Sequence, residues 1–79
     1  MYLSNIIEPL VTKALKEQCI GKKVTFQPID TEQTITILCK DVQFRSDDGY
    51  CWIKYIDQFD NQYTSDGQGI DIWFEIENP

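Results

Sequence analysis

The sequence contains no histidine. Histidine is the usual general base near neutral pH and the commonest metal ligand, so catalytic and metal sites lose their most frequent residue. The three cysteines, Cys19, Cys39 and Cys51, form no CxxC pair, and a structural zinc site would lack most of its ligands. We expect three reduced, mostly buried thiols. One regulatory or intermolecular disulfide is the alternative.

The sequence also lacks any apolar run near the roughly 20 residues that a membrane span needs. The first residues carry no basic segment of a signal peptide, and Pro9 and Lys13 interrupt their apolar pattern. The expected location is therefore the cytoplasm. The composition, 42% apolar and 13% aromatic in 79 residues, is that of one small globular domain over residues 1–79.

No sequence motif indicates an enzyme. There is no P-loop and no dinucleotide-binding glycine pattern. The acidic turn at 57–61 has the wrong spacing for a calcium loop, and aspartate is simply a good turn former. Paired carboxylates could do acid–base chemistry, but only in a pocket that shifts their pKa values, which a domain this small rarely encloses. We expect no catalytic residues, no cofactor and no bound metal.

The first part of the chain has the pattern of an amphipathic helix. Apolar residues recur at steps of three and four, at Leu3, Ile6, Ile7, Leu10, Val11, Ala14 and Leu15. This spacing predicts a helix from about residue 4 to about residue 19. Ser4 or Asn5 is the expected N-cap, and Pro9 predicts a late start or a slight kink. Gly21 suits the left-handed position that ends a helix.

From Lys22 onward the apolar period changes to two, which is typical of strands. Strands are predicted over about 22–28, 34–45, 50–57, 62–65 and 70–77. Cys39 and Val42 lie on opposite parities of one long strand, so a bulge or sharp bend is expected near residues 39–41. We expect an α+β fold, with the N-terminal helix packed on a strongly bent antiparallel sheet of about five strands. A small SH3-like barrel is one form that such a sheet can take.

The negative charge is concentrated at one end of the sequence. Residues 55–79 contain six acids and no lysine or arginine, which accounts for the net charge of −6 of the whole chain. Phosphate contacts need clustered lysine and arginine, so direct nucleic-acid binding is disfavoured. A one-sided field of this sign attracts a basic partner instead.

The last predicted strand is the sharpest candidate for a contact surface. Its outward positions alternate with apolar ones and carry acids roughly 6.5–7 Å apart around one tryptophan, a residue common at binding hot spots. Turn acids extend this surface. The predicted partner-binding residues are Asp57, Asp60, Asp66, Asp71, Trp73, Glu75 and Glu77. The alternative is that charge on an edge strand serves only to block edge-to-edge aggregation.

These observations favour a small acidic, non-enzymatic interaction protein. We expect it to bind, and thereby inhibit, a larger protein with a basic, nucleic-acid-binding surface. Nucleic-acid mimicry of this kind is a recurring strategy of phage-encoded inhibitors of restriction and CRISPR nucleases, and the composition fits that class. The alternative is a binding module or structural subunit with an aromatic partner surface, with which a homo-oligomer is also compatible. Its candidate residues are Tyr50, Trp52, Tyr55, Phe59, Tyr63 and Trp73.

Overall fold

A computed structural model describes residues 2–47, 50–67 and 74–78. Within them, one helix precedes five strands. The elements are α1 (Ser4–Cys19), β1 (Lys23–Phe26), β2 (Ile35–Asp47), β3 (Tyr50–Asp57), β4 (Gln62–Asp66) and β5 (Phe74–Glu77). The strands form one antiparallel sheet in the order β4-β3-β2-β1-β5. The predicted α+β architecture is confirmed, and the sheet is bent but is not a closed barrel.

The helix begins differently from the prediction. Leu3 precedes the first helical residue with φ −57° and ψ −35°, and no side chain caps the helix. The expectation that Ser4 or Asn5 is the N-cap is therefore wrong, because the chain is already helical where a capping residue would be extended. Pro9 lies inside the helix without delaying its start. Gly21 adopts φ +81° just after the helix, as its left-handed role requires.

The predicted phase slip in β2 is present. Cys39 pairs with Asp57 and Asp41 pairs with Ile56, so the register shifts between Cys39 and Asp41. The slip lets Cys39 and Val42 both point into the core although they differ in parity. The first half of β2 pairs with β1 and the second half with β3. The bulge therefore separates two halves of a strongly coiled sheet.

The core forms where the coiled sheet brings β1 over β3. The ring of Phe26 stacks on that of Tyr55, with centroids 3.9 Å apart and an interplanar angle of 14°, and contacts the edge of Tyr63 at 6.0 Å. Phe26 and Tyr55 are fully buried. The Tyr55 hydroxyl accepts a hydrogen bond from Ser65 at 3.3 Å, while burial raises the pKa of Tyr55 to about 12. Tyr55 is thus a neutral core residue with a satisfied polar end.

The three thiols are free, and two of them belong to the core. Cys19 and Cys39 are 0% and 2% exposed, and Cys51 is half-buried. Burial raises the pKa of Cys39 to about 11, an effect reinforced by the nearby Cys19 and Asp41. Thiols in this state are packing residues that form little thiolate at neutral pH.

The helix lies against the second half of β2 and hydrogen-bonds to its free edge at Phe44. The Thr12 hydroxyl accepts a hydrogen bond from the Phe44 N–H at 3.0 Å and donates one to the Phe44 carbonyl at 3.2 Å. Lys16 forms an ion pair with Asp41 at the bulge. Since β1 covers only the first half of β2, the helix takes the place of a strand there. No helix in the described part of the chain is long and apolar enough to cross a membrane.

Candidate functional site

The predicted partner-binding residues fall into separate parts of the molecule. Asp71 and Trp73 lie outside the described residues. Asp57, Asp60 and Asp66 surround the β3–β4 turn and strand β4, at one edge of the strand order. Glu75 and Glu77 are exposed on β5, at the other edge. The five described acids therefore do not follow one strand.

Asp57 is buried and holds the β3–β4 turn. Its carboxylate is the acceptor for the backbone N–H groups of Phe59 (2.8 Å) and Asn61 (2.9 Å), the Asn61 amide (3.1 Å) and the Tyr63 hydroxyl (3.0 Å). The residue is 6% exposed. With four donors on two oxygens, this carboxylate has little capacity left for a partner. Its placement gives Asp57 a structural role.

Asp57 also makes stability depend on pH. Burial alone would raise the pKa of its carboxyl, but the hydrogen bonds from Asn61, Phe59 and Tyr63 outweigh burial and hold the pKa below the ordinary value. The folded state then binds the proton less well than the unfolded chain, so this contribution is complete above the unfolded pKa near 4 and is lost as pH falls through the lowered folded pKa. We expect Asp57→Asn to lower the melting temperature at pH 7.

Comparing thermal unfolding of wild type and Asp57→Asn at pH 7 and at pH 2 tests this expectation. The difference in melting temperature should shrink at pH 2, because the stabilisation from the ionised carboxylate is lost as pH falls through its lowered folded pKa. Asp47→Asn, which changes an exposed acid, is the control and should shift neither value appreciably. An equal deficit for Asp57→Asn at both pH values would contradict the role of the ionised carboxylate.

We call the end of the sheet near the bulge of β2 and the start of β1 the bulge end, and its acids lie next to lysines. Asp60, at φ +65° in the β3–β4 turn, pairs with Lys40 at 2.6 Å. Glu77 is the cross-strand neighbour of Lys23. Both pairs lie near the start of β1, where Lys22 also lies. This end of the molecule therefore presents mixed charge and little net field.

The opposite end of β1 gathers exposed acids. Phe26 ends β1 opposite Phe74, so Glu75 lies at this end of the sheet. The β1–β2 loop starts from the same point, and its Ile29 N–H donates to the Thr64 carbonyl of β4 at 2.8 Å. Strand β4 continues from Thr64 to its last residue, Asp66. We call the exposed acids of this region the acidic end: Asp30, Glu32, Asp66 and Glu75. The cation Lys54, on β3, is the cross-strand neighbour of Thr64.

Two of the acidic-end residues were not anticipated. Asp30 and Glu32 stand in a turn between strands, and turn acids are common for conformational reasons alone. Their proximity to β4 depends on the Ile29–Thr64 hydrogen bond, which joins segments that are far apart in the sequence. Nothing in the local pattern predicts that contact.

The aromatic residues of the alternative surface are also divided. Tyr55 and Tyr63 pack in or against the core. Tyr50 and Trp52 lie together on the outer face of β3, with ring centroids 6.0 Å apart. Phe59 is 74% exposed in the β3–β4 turn. Trp73 lies outside the described residues. The aromatic surface is therefore smaller than the sequence suggests.

An exposed apolar surface lies on the helix instead. Four exposed apolar side chains lie just before the helix or in its first half, and we call them the outer helix face: Tyr2, Leu3, Ile6 and Leu10, exposed by 81%, 67%, 47% and 62%. On the opposite side, Leu15 and Cys19 are buried. The side of the helix that faces β2 includes the polar residues Glu8 and Thr12. The sequence pattern places Leu3, Ile6 and Leu10 in one apolar stripe and gives no indication that part of the stripe stays exposed.

A shallow cleft of about 240 Å³ runs between the helix and β2. Its lining comprises Glu8, Pro9, Thr12, Gln43, Phe44 and Arg45. Glu8 accepts a hydrogen bond from Ser46 at 2.7 Å and lies 4.0 Å from Arg45. This single carboxylate, already bound to two partners, has no second acid across the cleft with which to share acid–base work. Among the described residues, no group of three potential metal ligands is present.

Comparisons with known proteins identified no relative. No family model, no curated protein and no solved structure matches this chain. Among the described residues, the acidic end and the outer helix face are the two exposed surfaces with a distinct character, one charged and one apolar.

Proposed function

We propose that this protein is a small non-enzymatic protein that binds a larger protein with a basic, nucleic-acid-binding surface. The observation that carries the proposal is the acidic end, a set of four exposed acids on the β1–β2 loop, β4 and β5. By occupying the basic surface, the protein would exclude nucleic acid and so inhibit its partner. Phage-type inhibitors of CRISPR and restriction nucleases are the class that this activity fits.

The distribution of charge supports this orientation of binding. The net charge is −6, and the bulge end is partly neutralised by Lys40 and Lys23, beside Asp60 and Glu77. The acidic end, by contrast, holds four exposed acids and one neighbouring base, Lys54. Fields of this kind accelerate encounter with an oppositely charged surface and reject nucleic acid itself. The proposed location is the cytoplasm, whose reducing conditions suit three free thiols.

The test compares two variants of equal charge. The first neutralises three exposed acids of the acidic end, as Asp30→Asn/Glu32→Gln/Glu75→Gln. The control neutralises three exposed acids elsewhere, as Glu17→Gln/Asp47→Asn/Glu77→Gln. Wild type and both variants are used to capture proteins from a native lysate, followed by mass spectrometry and affinity measurement on the captured protein. We expect the acidic-end variant to bind roughly tenfold more weakly or worse, and the control to bind nearly as wild type.

Two outcomes would contradict the proposal. If both variants bound as tightly as wild type, the positions of the acids would not matter for binding and the acids would serve solubility alone. An affinity that barely changes between low and high salt would exclude a mainly electrostatic interface, because exposed charge pairs are screened within about 10 Å at 0.1 M salt.

A further inference from the structure

We propose that an extended, basic segment of the partner protein adds as a further strand to one edge of β2, along residues 35–38. We call this segment of β2 the open edge. The inference rests on the proposed function, because the occupant belongs to the same basic protein. In strand addition, main-chain hydrogen bonds to a sheet edge provide the affinity for an extended backbone.

Each half of β2 has one strand neighbour, and the two neighbours lie on opposite edges. β1 pairs with β2 from Ile35 to Leu38, whereas β3 pairs with β2 only from Cys39 onward. In the strand order, β1 and β3 are on opposite sides of β2. The side that β1 leaves free is occupied by the helix through Thr12. On the side that β3 leaves free, no element of the described chain pairs with residues 35–38.

Within the described part of the chain, the open edge has two backbone N–H groups without a partner. The Cys39 N–H donates to the Lys22 carbonyl at 2.9 Å, so Cys39 is hydrogen-bonded toward β1. Because bonded and non-bonded pairs alternate in an antiparallel ladder, Thr36 and Leu38 direct their N–H groups away from β1. The Thr25 and Thr36 hydroxyls, 2.7 Å apart, agree with this, because side chains lie closest in a non-bonded pair. Both N–H groups therefore face the position that an added strand would take.

The open edge lacks the protection that the other edges of the sheet have. Its two outward side chains are uncharged and exposed, and residues 35–38 contain no proline. At one end of the sheet, β5 carries the exposed acids Glu75 and Glu77. At the other end, the Thr64 carbonyl of β4 already accepts the Ile29 N–H. Charges and covering loops are the usual protection of a sheet edge, so the open edge is the described edge best suited to a further strand.

The charge around the open edge favours a basic segment as its occupant. Asp30 and Glu32, both in the acidic end, lie in the loop that leads into β2, and no lysine or arginine occurs between Lys23 and Lys40. The two bordering lysines each lie next to an acid. A second copy of this chain would bring the same two acids and a net charge of −6, which disfavours it as the occupant. Lysine or arginine on the added strand would instead lie near opposite charge.

Amide hydrogen exchange of the purified chain, followed by nuclear magnetic resonance, tests strand addition. The probe is an acetylated and amidated peptide of about seven alternating lysine and valine residues, the length of a typical strand. At about 1 mM peptide, we expect exchange of the Thr36 and Leu38 amides to slow about threefold or more, whereas the Ile37 amide is protected with and without peptide. The same peptide with every backbone nitrogen methylated keeps its charge and should bind about tenfold more weakly or worse.

Thr36→Pro removes one donor of the open edge. Proline is tolerated where an edge N–H is outside the ladder, so the variant should unfold cooperatively while its affinity for the lysine–valine peptide falls about tenfold or more. Thr36→Val is the matched control, because it loses the same hydroxyl but keeps the N–H, and it should bind as wild type. If Thr36→Pro fails to fold, hydrogen exchange of the wild type decides the question without it.

Two results would overturn strand addition: unchanged exchange of the Thr36 and Leu38 amides with peptide, or equal binding of the methylated and unmethylated peptides. In the second case, weaker binding of both peptides to Asp30→Asn/Glu32→Gln/Glu75→Gln would still support the proposed function, by electrostatics alone. A peptide of alternating glutamate and valine separates the opposite failure. If it protected the same two amides as well as the lysine peptide does, the open edge would accept a strand, but the basic partner and hence the proposed function would be contradicted.

Discussion

Replacement of Phe26 by alanine is expected to remove about 3–5 kcal/mol from the free energy of unfolding, the usual cost of truncating a buried aromatic residue. Phe26 is fully buried and contacts both Tyr55 and Tyr63. It joins β1 to the β3–β4 half of the sheet, so its loss leaves a cavity between the two halves. A domain of 79 residues has roughly 4–12 kcal/mol in total. The variant should therefore be partly or wholly unfolded at 37 °C.

Urea unfolding followed by far-ultraviolet circular dichroism measures this loss. Phe59→Ala is the matched control, because it removes the same side chain where the residue is 74% exposed. Its main-chain hydrogen bond to Asp57 does not involve the ring. The control should change stability by no more than about 0.5 kcal/mol. Similar losses for the two variants would mean that Phe26 is not the contact between the halves of the sheet.

Gly67→Ala is expected to destabilise the protein through a steric clash with the backbone of β3. A β-carbon at Gly67 would lie 2.9 Å from both the Cα and the N of Trp52. These atoms belong to a paired strand, and the Gly67 N–H donates to the Cys51 carbonyl at 3.0 Å. Neither segment can move away without weakening the hydrogen bond between Gly67 and Cys51. We expect a cost of about 1–3 kcal/mol, as for other overpacked sites.

Gly21 is the comparison that separates the two reasons for a glycine, which are a left-handed backbone and a lack of space for a side chain. Its φ is +81° and no atom lies within 4 Å of a β-carbon built there. Gly21→Ala should therefore cost only the conformational penalty of about 1–2 kcal/mol, and Gly21→Asn less, because asparagine tolerates left-handed backbone. Gly67→Asn should be worse than Gly67→Ala, because its side chain is larger. Thermal unfolding of the four variants ranks alanine against asparagine at each of the two positions. A higher stability of Gly67→Asn than of Gly67→Ala would contradict the steric explanation.

The fold could be predicted from the sequence because its main signals are local. The change of apolar period near Lys22 separates helix from strands, and the parity of Cys39 and Val42 reveals the bulge. Gly21 is placed correctly because left-handed backbone selects glycine. The N-cap could not be predicted in the same way, because Leu3 is already helical and no side chain provides a cap.

The candidate site was less predictable because it depends on contacts between distant segments. Asp57 resembles the other turn acids in the sequence, yet it is buried by donors that follow it in the chain. Asp30 joins the acidic end only through the hydrogen bond between Ile29 and Thr64. Periodicity shows which side chains share a face, whereas burial of that face depends on what packs against it. This is why the apolar pattern of the helix could not show that Leu3, Ile6 and Leu10 stay exposed.

Strand β5 has a consequence for how the domain opens. It is four residues long, and within the described residues it pairs with β1 alone. Its two inward side chains, Phe74 and Ile76, are only half-buried. Such a strand can detach while the rest of the sheet remains folded, since local opening starts where few buried contacts resist it. Detachment exposes the edge of β1, which is a template for the β5 strand of another molecule and hence a route to domain-swapped species at high concentration.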